Sequence, residues 1–593
     1  MAIEVANIPE ITDSALLAEQ RSRRIALLCR TLCVVLALAE TWSQRHFLNE
    51  DGVSYLDMSD WLLRHNWHLL VNPIWSPLYP MLIGIATWLT RPSAAWEIPL
   101  VHGVNFLIFL AALASFEFML RSAVRVLGNI DERKASGRDT QGSLWLWQFV
   151  GYGLFAWSTF GMIWGPKMVT PDLLVAAFVY LDCGLVLRLR TASPRLQTAI
   201  LLGMTLGFGY LAKAILFPMA FVFVVLALAA IGSWRRALLP LTATMVLFAA
   251  IAAPMVAAMS LRVGKLSYSE VGNLNYAWHV NDVTAGKAAG GPFFPAESGP
   301  PSYFKHPLIL LNRHPEIYEF REPRVLTYPP RSDMQYWGAG TPVVFNLHNQ
   351  FVAFAGGLKL LVRDSHILPL TALILLGMAL VLIRPGGVRT VAPSWPLLIP
   401  GVLGPFLYLL ISVEPRYLAP FFVAILVGLF PAVLGRGSEP VNRRVAAWSS
   451  AIASLLLISA GLLVAYHAAG YPRQENGDEF LEIGTSLNQA GIEPGVDIGI
   501  IGDSSDGSRW GRLARVHIVA QLLREDAPAF WPMKDREAQT IYAAFTRAGA
   551  SAIVAEEAPV EMDPSQWKKL GNTNYYVHRL PPNGGSHAPV AGE

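Results

Sequence analysis

Charge is what this chain has least of. Charged residues make up 15% of its 593 residues, while 53% are hydrophobic. Soluble domains carry about a quarter charged residues, so an ordinary soluble enzyme is excluded. The net charge of +3 is too small to suggest a nucleic-acid partner. Cysteine is nearly absent. Cys29, Cys33 and Cys183 all lie in or beside apolar stretches, which excludes a disulfide framework. No small-residue cleavage site follows the first apolar run, and Arg21, Arg23 and Arg24 precede it. This pattern reads as a retained first helix rather than a removed signal peptide. No internal repeat of a transporter kind is visible. The glycine-rich GIIGDSSDG lacks both the spacing and the lysine of a phosphate loop, and reads as a plain loop. His279, His306, His314 and His348 have no compact ligand spacing, so no metal is assigned and no cofactor is expected.

What the chain has instead is a series of apolar runs long enough to cross a bilayer. The loops between them are alternately rich and poor in Arg and Lys, and basic loops stay in the cytoplasm. The pattern predicts a polytopic α-helical membrane protein with about eleven crossings, at 25–43, 98–120, 144–163, 173–189, 197–211, 214–231, 238–259, 366–383, 394–412, 417–434 and 446–466. Residues 1–24 form a cytoplasmic tail and 25–466 the membrane domain. Within it, 44–97 is an outer juxtamembrane segment, in which 53–65 reads as an amphipathic surface helix and 76–90 as a re-entrant or juxtamembrane segment broken by prolines. Residues 260–364, rich in aromatics, are expected to form an ordered cap on the extracytoplasmic face. Residues 470–593 read as a small α/β domain on the same face, with strands at 496–501, 515–522, 550–556 and 574–580 and a helix at 536–549. The expected location is a plasma (inner) membrane.

The orientation groups the chemistry. Asp51 follows the first span and Asp172 opens the fourth, so both fall on the outer face. Each has a bland reading as a helix cap. Their shared sidedness, obtained from Arg and Lys alone, favours a functional one, because a carboxylate at a span mouth is costly without a role. Asp57 and Asp60 fit the wet face of the surface helix. Lys213 and Arg416 are cations at the outer surface, where topology disfavours them. Snorkelling, or pairing of Arg416 with Glu414, would account for them, but they also suit an anionic ligand such as phosphate.

In four places the chain resembles the C superfamily of integral-membrane glycosyltransferases, in the bacterial branch that includes the lipid A aminoarabinose transferase and protein O-mannosyltransferases. Asp51, Gly52 and Tyr55 stand before Trp75, Pro77, Tyr79 and Pro80. Thr170, Pro171, Asp172 and Leu173 open a helix. Gly207, Gly209 and Leu211 lead to Lys213. Pro415, Arg416 and Tyr417 open a late helix. The resemblance covers about 20–435 and departs from the family at Glu50-Asp51, where an Asp-Glu order is usual. It implies a polyprenyl-phosphate-sugar donor, with membrane lipid and a glycan, lipid or protein acceptor as partners. It also implies Asp51 as the base for an inverting transfer without metal, Asp172 as an orienting residue, and Lys213 and Arg416 as phosphate ligands. Glu50, Tyr55, Tyr79 and Tyr417 are candidate substrate contacts. A polysaccharide polymerase or ligase using lipid-linked substrates, and a non-enzymatic transporter or flippase, are the alternatives. A transporter requires ionisable groups near mid-membrane, where the spans hold few: Glu117, Asp182 and His102.

Overall fold

The computed structural model describes residues 13–128, 144–190, 196–281, 308–320, 326–333, 336, 340–434, 439–470, 477–557 and 566–581. His306 and the loop cations Arg133, Lys134, Arg138, Arg195 and Arg436 lie outside the described residues.

The membrane part contains α1 (Asp13–Ser43), α2 (Glu50–Leu63), α3 (Leu78–Thr90), α4 (Ala94–Ala123), α5 (Leu144–Ala156), α6 (Asp172–Leu189), α7 (Leu196–Ala212), α8 (Leu216–Ile231), α9 (Trp234–Val263), α10 (Leu347–Arg363), α11 (Leu368–Ile383), α12 (Trp395–Leu409), α13 (Pro415–Val433) and α14 (Glu439–Ala468). By length and composition six helical stretches can cross a membrane: 20–43, 94–127, 234–263, 387–409, 415–433 and 443–468. The pair α10 and α11, bent by 94°, adds a seventh if it acts as one span. The chain is a multi-pass membrane protein. Helix occupies each expected span, but several are not long apolar rods. α7 and α8 have 17 and 16 residues. α5 passes into a π-helical turn at Trp157–Met162, and α6 carries Asp172, Asp182 and Arg188. Among the described residues, length and apolarity mark six or seven spans, and shorter apolar helices lie at 78–90, 196–212 and 216–231.

The run 260–364 does not stand apart from the tail. It holds α10 and two strands, β1 (Leu308–Arg313) and β2 (Glu316–Phe320). These join five strands of the tail, β3 (Asp497–Gly502), β4 (His517–Leu523), β5 (Ala552–Glu556), β6 (Lys568–Lys569) and β7 (Tyr575–Arg579). The sheet runs β1-β2-β4-β3-β5-β7-β6, with β4, β3 and β5 parallel and the other pairings antiparallel. Strand alternation separates its faces. Ile501, Val519 and Ile553 pack with Ile541 and Phe545 of α15 (Asp535–Arg547), whereas Ile500, Ile518 and Val554 belong to the core that continues into the membrane helices. GIIGDSSDG is not a loop. It is the end of β3 and the start of a helix, Ser504–Ala514, which the glycines and serines concealed.

That helix meets α2. The expected amphipathic surface helix is buried on nearly every side, including Asp57. Asp57 does not face water as expected, and Asp60, 29% exposed, is paired as well. Arg512, on Ser504–Ala514, donates to Asp57 Oδ1 (3.2 Å), Asp60 Oδ2 (2.6 Å) and Glu97 Oε1 of α4 (2.5 Å). Its side chain is 6% exposed. Thr327 completes the joint by donating its hydroxyl to Asp57 and accepting from Ile518 of β4. One guanidinium thus fastens the tail to two membrane-side helices. Removing one partner from such a buried group is strongly destabilising.

Burial pushes the Asp57 carboxyl up to about 6, against the pull of Arg512. A carboxyl whose pKa is higher in the folded than in the unfolded state stabilises the fold when neutral. That contribution is full below about pH 4 and is lost as the pH rises through 6. Asp57→Asn removes the titration. The melting temperature of the variant relative to the parent should therefore rise between pH 4 and pH 7, corresponding to about 2–3 kcal/mol. A pH-independent difference between the two proteins contradicts the assignment.

Candidate functional site

α2 begins with Glu50 and Asp51 and is followed closely by Gly52. A Cβ on Gly52 would lie 2.8 Å from Val169 Cβ, so only glycine lets this turn approach the segment before α6. Asn49, the residue before α2, accepts from the Val169 N–H at 2.9 Å. The two stretches carrying the aspartates are thereby locked side by side. Neither aspartate is a cap: the N-cap positions are Asn49 and Pro171.

Arg416, in the first turn of α13, lies between the two aspartates. Both of its terminal nitrogens stand 3.2 Å from Asp51 Oδ2. One stands 3.6 Å from Asp172 Oδ2, and Nε donates to Glu414 at 2.7 Å. Lys213, at the turn between α7 and α8, reaches Asp172 Oδ1 at 2.5 Å. Thr170 donates to the other oxygen of Asp172 at 2.8 Å. The four charged residues singled out from the sequence therefore form one chain, Asp51–Arg416–Asp172–Lys213. Exposure differs along it. Asp172 is 3% exposed and fully occupied, while Asp51 is 28% exposed. The surface pairing of Arg416 with Glu414 exists but is only one of its contacts.

The aromatic candidates divide. Tyr417 stacks on Tyr408 at 4.8 Å and lies 3.9 Å beneath the Lys213 ammonium, so it belongs to the cluster. Tyr55 packs edge-on against Trp75 and Tyr79. Burial holds its phenol well above the usual range, with Asp51 adding to the effect, so it stays protonated. Tyr79 is fully buried and donates to Asn105 at 2.7 Å, facing the interior. Glu50 pairs with Arg331 of the outer segment. Among the described residues no group of three or more His, Cys, Asp and Glu side chains is arranged to hold a metal ion.

Several supporting residues escaped the sequence reading. Asn105 donates to the carbonyls of Pro166 (3.0 Å) and Met168 (2.9 Å), and His102 lies 3.2 Å from the Pro166 carbonyl. Lys167 is within 3.2 Å of His467, which in turn lies 3.0 Å from Glu40. All three are buried. A side chain at Gly165 would collide with Glu40. This network joins α1, α4 and α14 to the segment that presents Asp172. Its signs in the sequence were His102, an ionisable residue within a span, and Lys167, three residues before the Thr-Pro-Asp sequence.

The burial difference has a measurable consequence. Asp172→Asn leaves Lys213 and Arg416 short of a buried counter-charge and should destabilise the protein by ~3–5 kcal/mol. Glu414, 42% exposed, makes a surface contact, so Glu414→Gln should cost about 0–1 kcal/mol. Thermal unfolding of both variants in detergent checks the contrast, and equal effects refute it.

No protein-family model matches the sequence, and no curated protein matches it either. Solved structures do. ArnT from Cupriavidus metallidurans, crystallised both with undecaprenyl phosphate and in the apo state, aligns over 93% of this chain and 99% of its own at 11% identity, with a TM-score of 0.51 in each case. The oligosaccharyltransferase AglB from Archaeoglobus fulgidus, in complex with an inhibitory peptide and a dolichol-phosphate, aligns over 90% of this chain and 69% of its own at 11% identity, with a TM-score of 0.46. At such identity the likeness is one of fold: over nearly its whole length, this chain is built like ArnT.

Proposed function

We propose that the protein transfers a sugar from a polyprenyl-phosphate donor to an acceptor hydroxyl at the extracytoplasmic face of a plasma membrane, by inversion and without a metal. The carrying observation is the chain Asp51–Arg416–Asp172–Lys213, in which Arg416 joins an accessible carboxylate to an enclosed one and Lys213 sits on the enclosed one. The crystallisation of the similarly folded ArnT with undecaprenyl phosphate supports a lipid-phosphate donor.

Each residue has a distinct task. Asp51 takes the proton of the acceptor hydroxyl. The hydroxyl oxygen bonds to the anomeric carbon as the bond from that carbon to the phosphate oxygen breaks, and the electron pair leaves with the phosphate. Arg416 and Lys213 meet that charge. Asp172 holds both cations at fixed positions and stays out of the proton transfer. Without donor, Arg416 rests on Asp51. A donor phosphate competes for the same guanidinium, and Arg416 turning to it leaves the Asp51 carboxylate free to meet the acceptor hydroxyl. A carrier, by contrast, would expose ionisable groups along its spans. Here Glu117 is bound by Arg30, Arg121 and Tyr152, and Asp182 by Thr205.

Asp51→Asn should lower turnover of a polyprenyl-phosphate sugar by about 10²–10⁴-fold with the fold and donor binding retained. Undiminished turnover rejects Asp51 as the base. Arg416→Lys replaces a fork by a point charge and should raise the donor KM and reduce kcat. Lys213→Arg should be milder. Full donor-dependent activity in Arg416→Lys excludes the phosphate role.

A further inference from the structure

A cavity of about 440 Å³ lies away from the Arg416 cluster, where the tail meets the membrane-side helices. It is lined by residues of α2, α3, the 91–97 segment and the tail. Its lining includes four arginines, Arg64, Arg91, Arg512 and Arg515, against three carboxylates, Asp57, Asp60 and Glu97. All three carboxylates are already taken by Arg512. Arg64 and Arg515 influence Asp60 only through their field. Among the described residues, Arg64, Arg91 and Arg515 have no hydrogen-bonded or ion-paired side-chain partner. Arg512, although buried, leaves its Nε without a partner.

Backbone geometry singles out the same residues. Arg91 has φ 47° and Arg515 φ 55°, and His65, next to Arg64, has φ 61°. A branched or long side chain in the left-handed region costs energy that glycine would avoid. Such strain is a pointer to function. The mouth also adjoins a candidate span: Arg91 lies three residues before the apolar helix that starts at Ala94. Trp88 and Trp96, 64% and 58% exposed, flank it, as interfacial tryptophans do.

We propose that this cavity binds the phosphate-bearing headgroup of an anionic membrane lipid. Arg64, Arg91 and Arg515 hold the phosphate, and Trp88 lies along the glycerol or acyl region. The bound lipid latches the tail and α2 to the bilayer surface. The site is independent of the transfer reaction, since none of Asp51, Asp172, Lys213 and Arg416 lines it.

The test uses the full-length protein in detergent, with lipid retention read by native mass spectrometry and stabilisation read by thermal unfolding. The probes are phosphatidylglycerol, phosphatidylcholine and inorganic phosphate. The parent should retain phosphatidylglycerol in preference to phosphatidylcholine and gain melting temperature from it. Arg64→Gln with Arg91→Gly and Arg515→Gly should reduce that retention by roughly tenfold or more. Arg91→Gly alone should weaken retention without lowering stability, because glycine accepts that backbone. Arg235→Gln with Arg236→Gln, at exposed cations elsewhere, should leave retention unchanged. Equal retention of the two lipids overturns the proposal. So does an equal loss in the Arg235/Arg236 control, or stabilisation by inorganic phosphate with no preference for the anionic lipid.

Discussion

Arg416 cannot be discharged, and it is nearly buried between Asp51 and Asp172. A guanidinium in that position must be matched by carboxylates, and the match dictates where three separate stretches of chain lie. α13 must bring its first turn to the start of α2, and both must meet the start of α6. Gly52 permits the approach, Asn49 pins it, and Thr170 and Lys213 satisfy what remains of Asp172. Other buried acids in the membrane helices are also held by partners, Glu117 by Arg30, Arg121 and Tyr152 and Asp182 by Thr205.

A second buried arginine performs the corresponding task for the tail. Arg512 draws Asp57, Asp60 and Glu97 to itself and so fixes the tail against α2 and α4. Because α2 carries Asp51 at one end and the Arg512 contacts further along, the two ionic clusters share a helix. Movement of the tail would therefore be felt at Asp51. The outer segment contributes as well, through Thr327 on Asp57, Arg331 on Glu50, and β2 alongside β4. Tail, outer segment and α2 form a continuous polar joint over the proposed reaction site.

The residues of this joint show where reading along the chain succeeds and where it stops. Asp51, Asp172, Lys213 and Arg416 were legible because each violates a local rule, an acid at a span mouth or a cation at the surface where topology disfavours it. The strands and helix expected in the tail were legible from their alternation and period. Asp57 and Asp60 were misjudged because their partner is more than 400 residues away, and no local pattern announces it. Separation along the chain likewise hid the pairing of β2 with β4 and the contacts among Lys167, His467 and Glu40.

Composition and the order of apolar and basic stretches were enough to establish a multi-pass helical membrane protein with a mixed α/β tail, since bilayer thickness and backbone hydrogen bonding leave few other solutions. They were also enough to single out four charged residues that the structure brings together. Only the tertiary structure decided that Arg416 stands between two aspartates, that Asp172 is enclosed while Asp51 stays accessible, and that the outer segment and tail share one sheet. These are relations between distant segments, and they follow from burying unlike charges together. That requirement acts in space, and the linear chain does not display it.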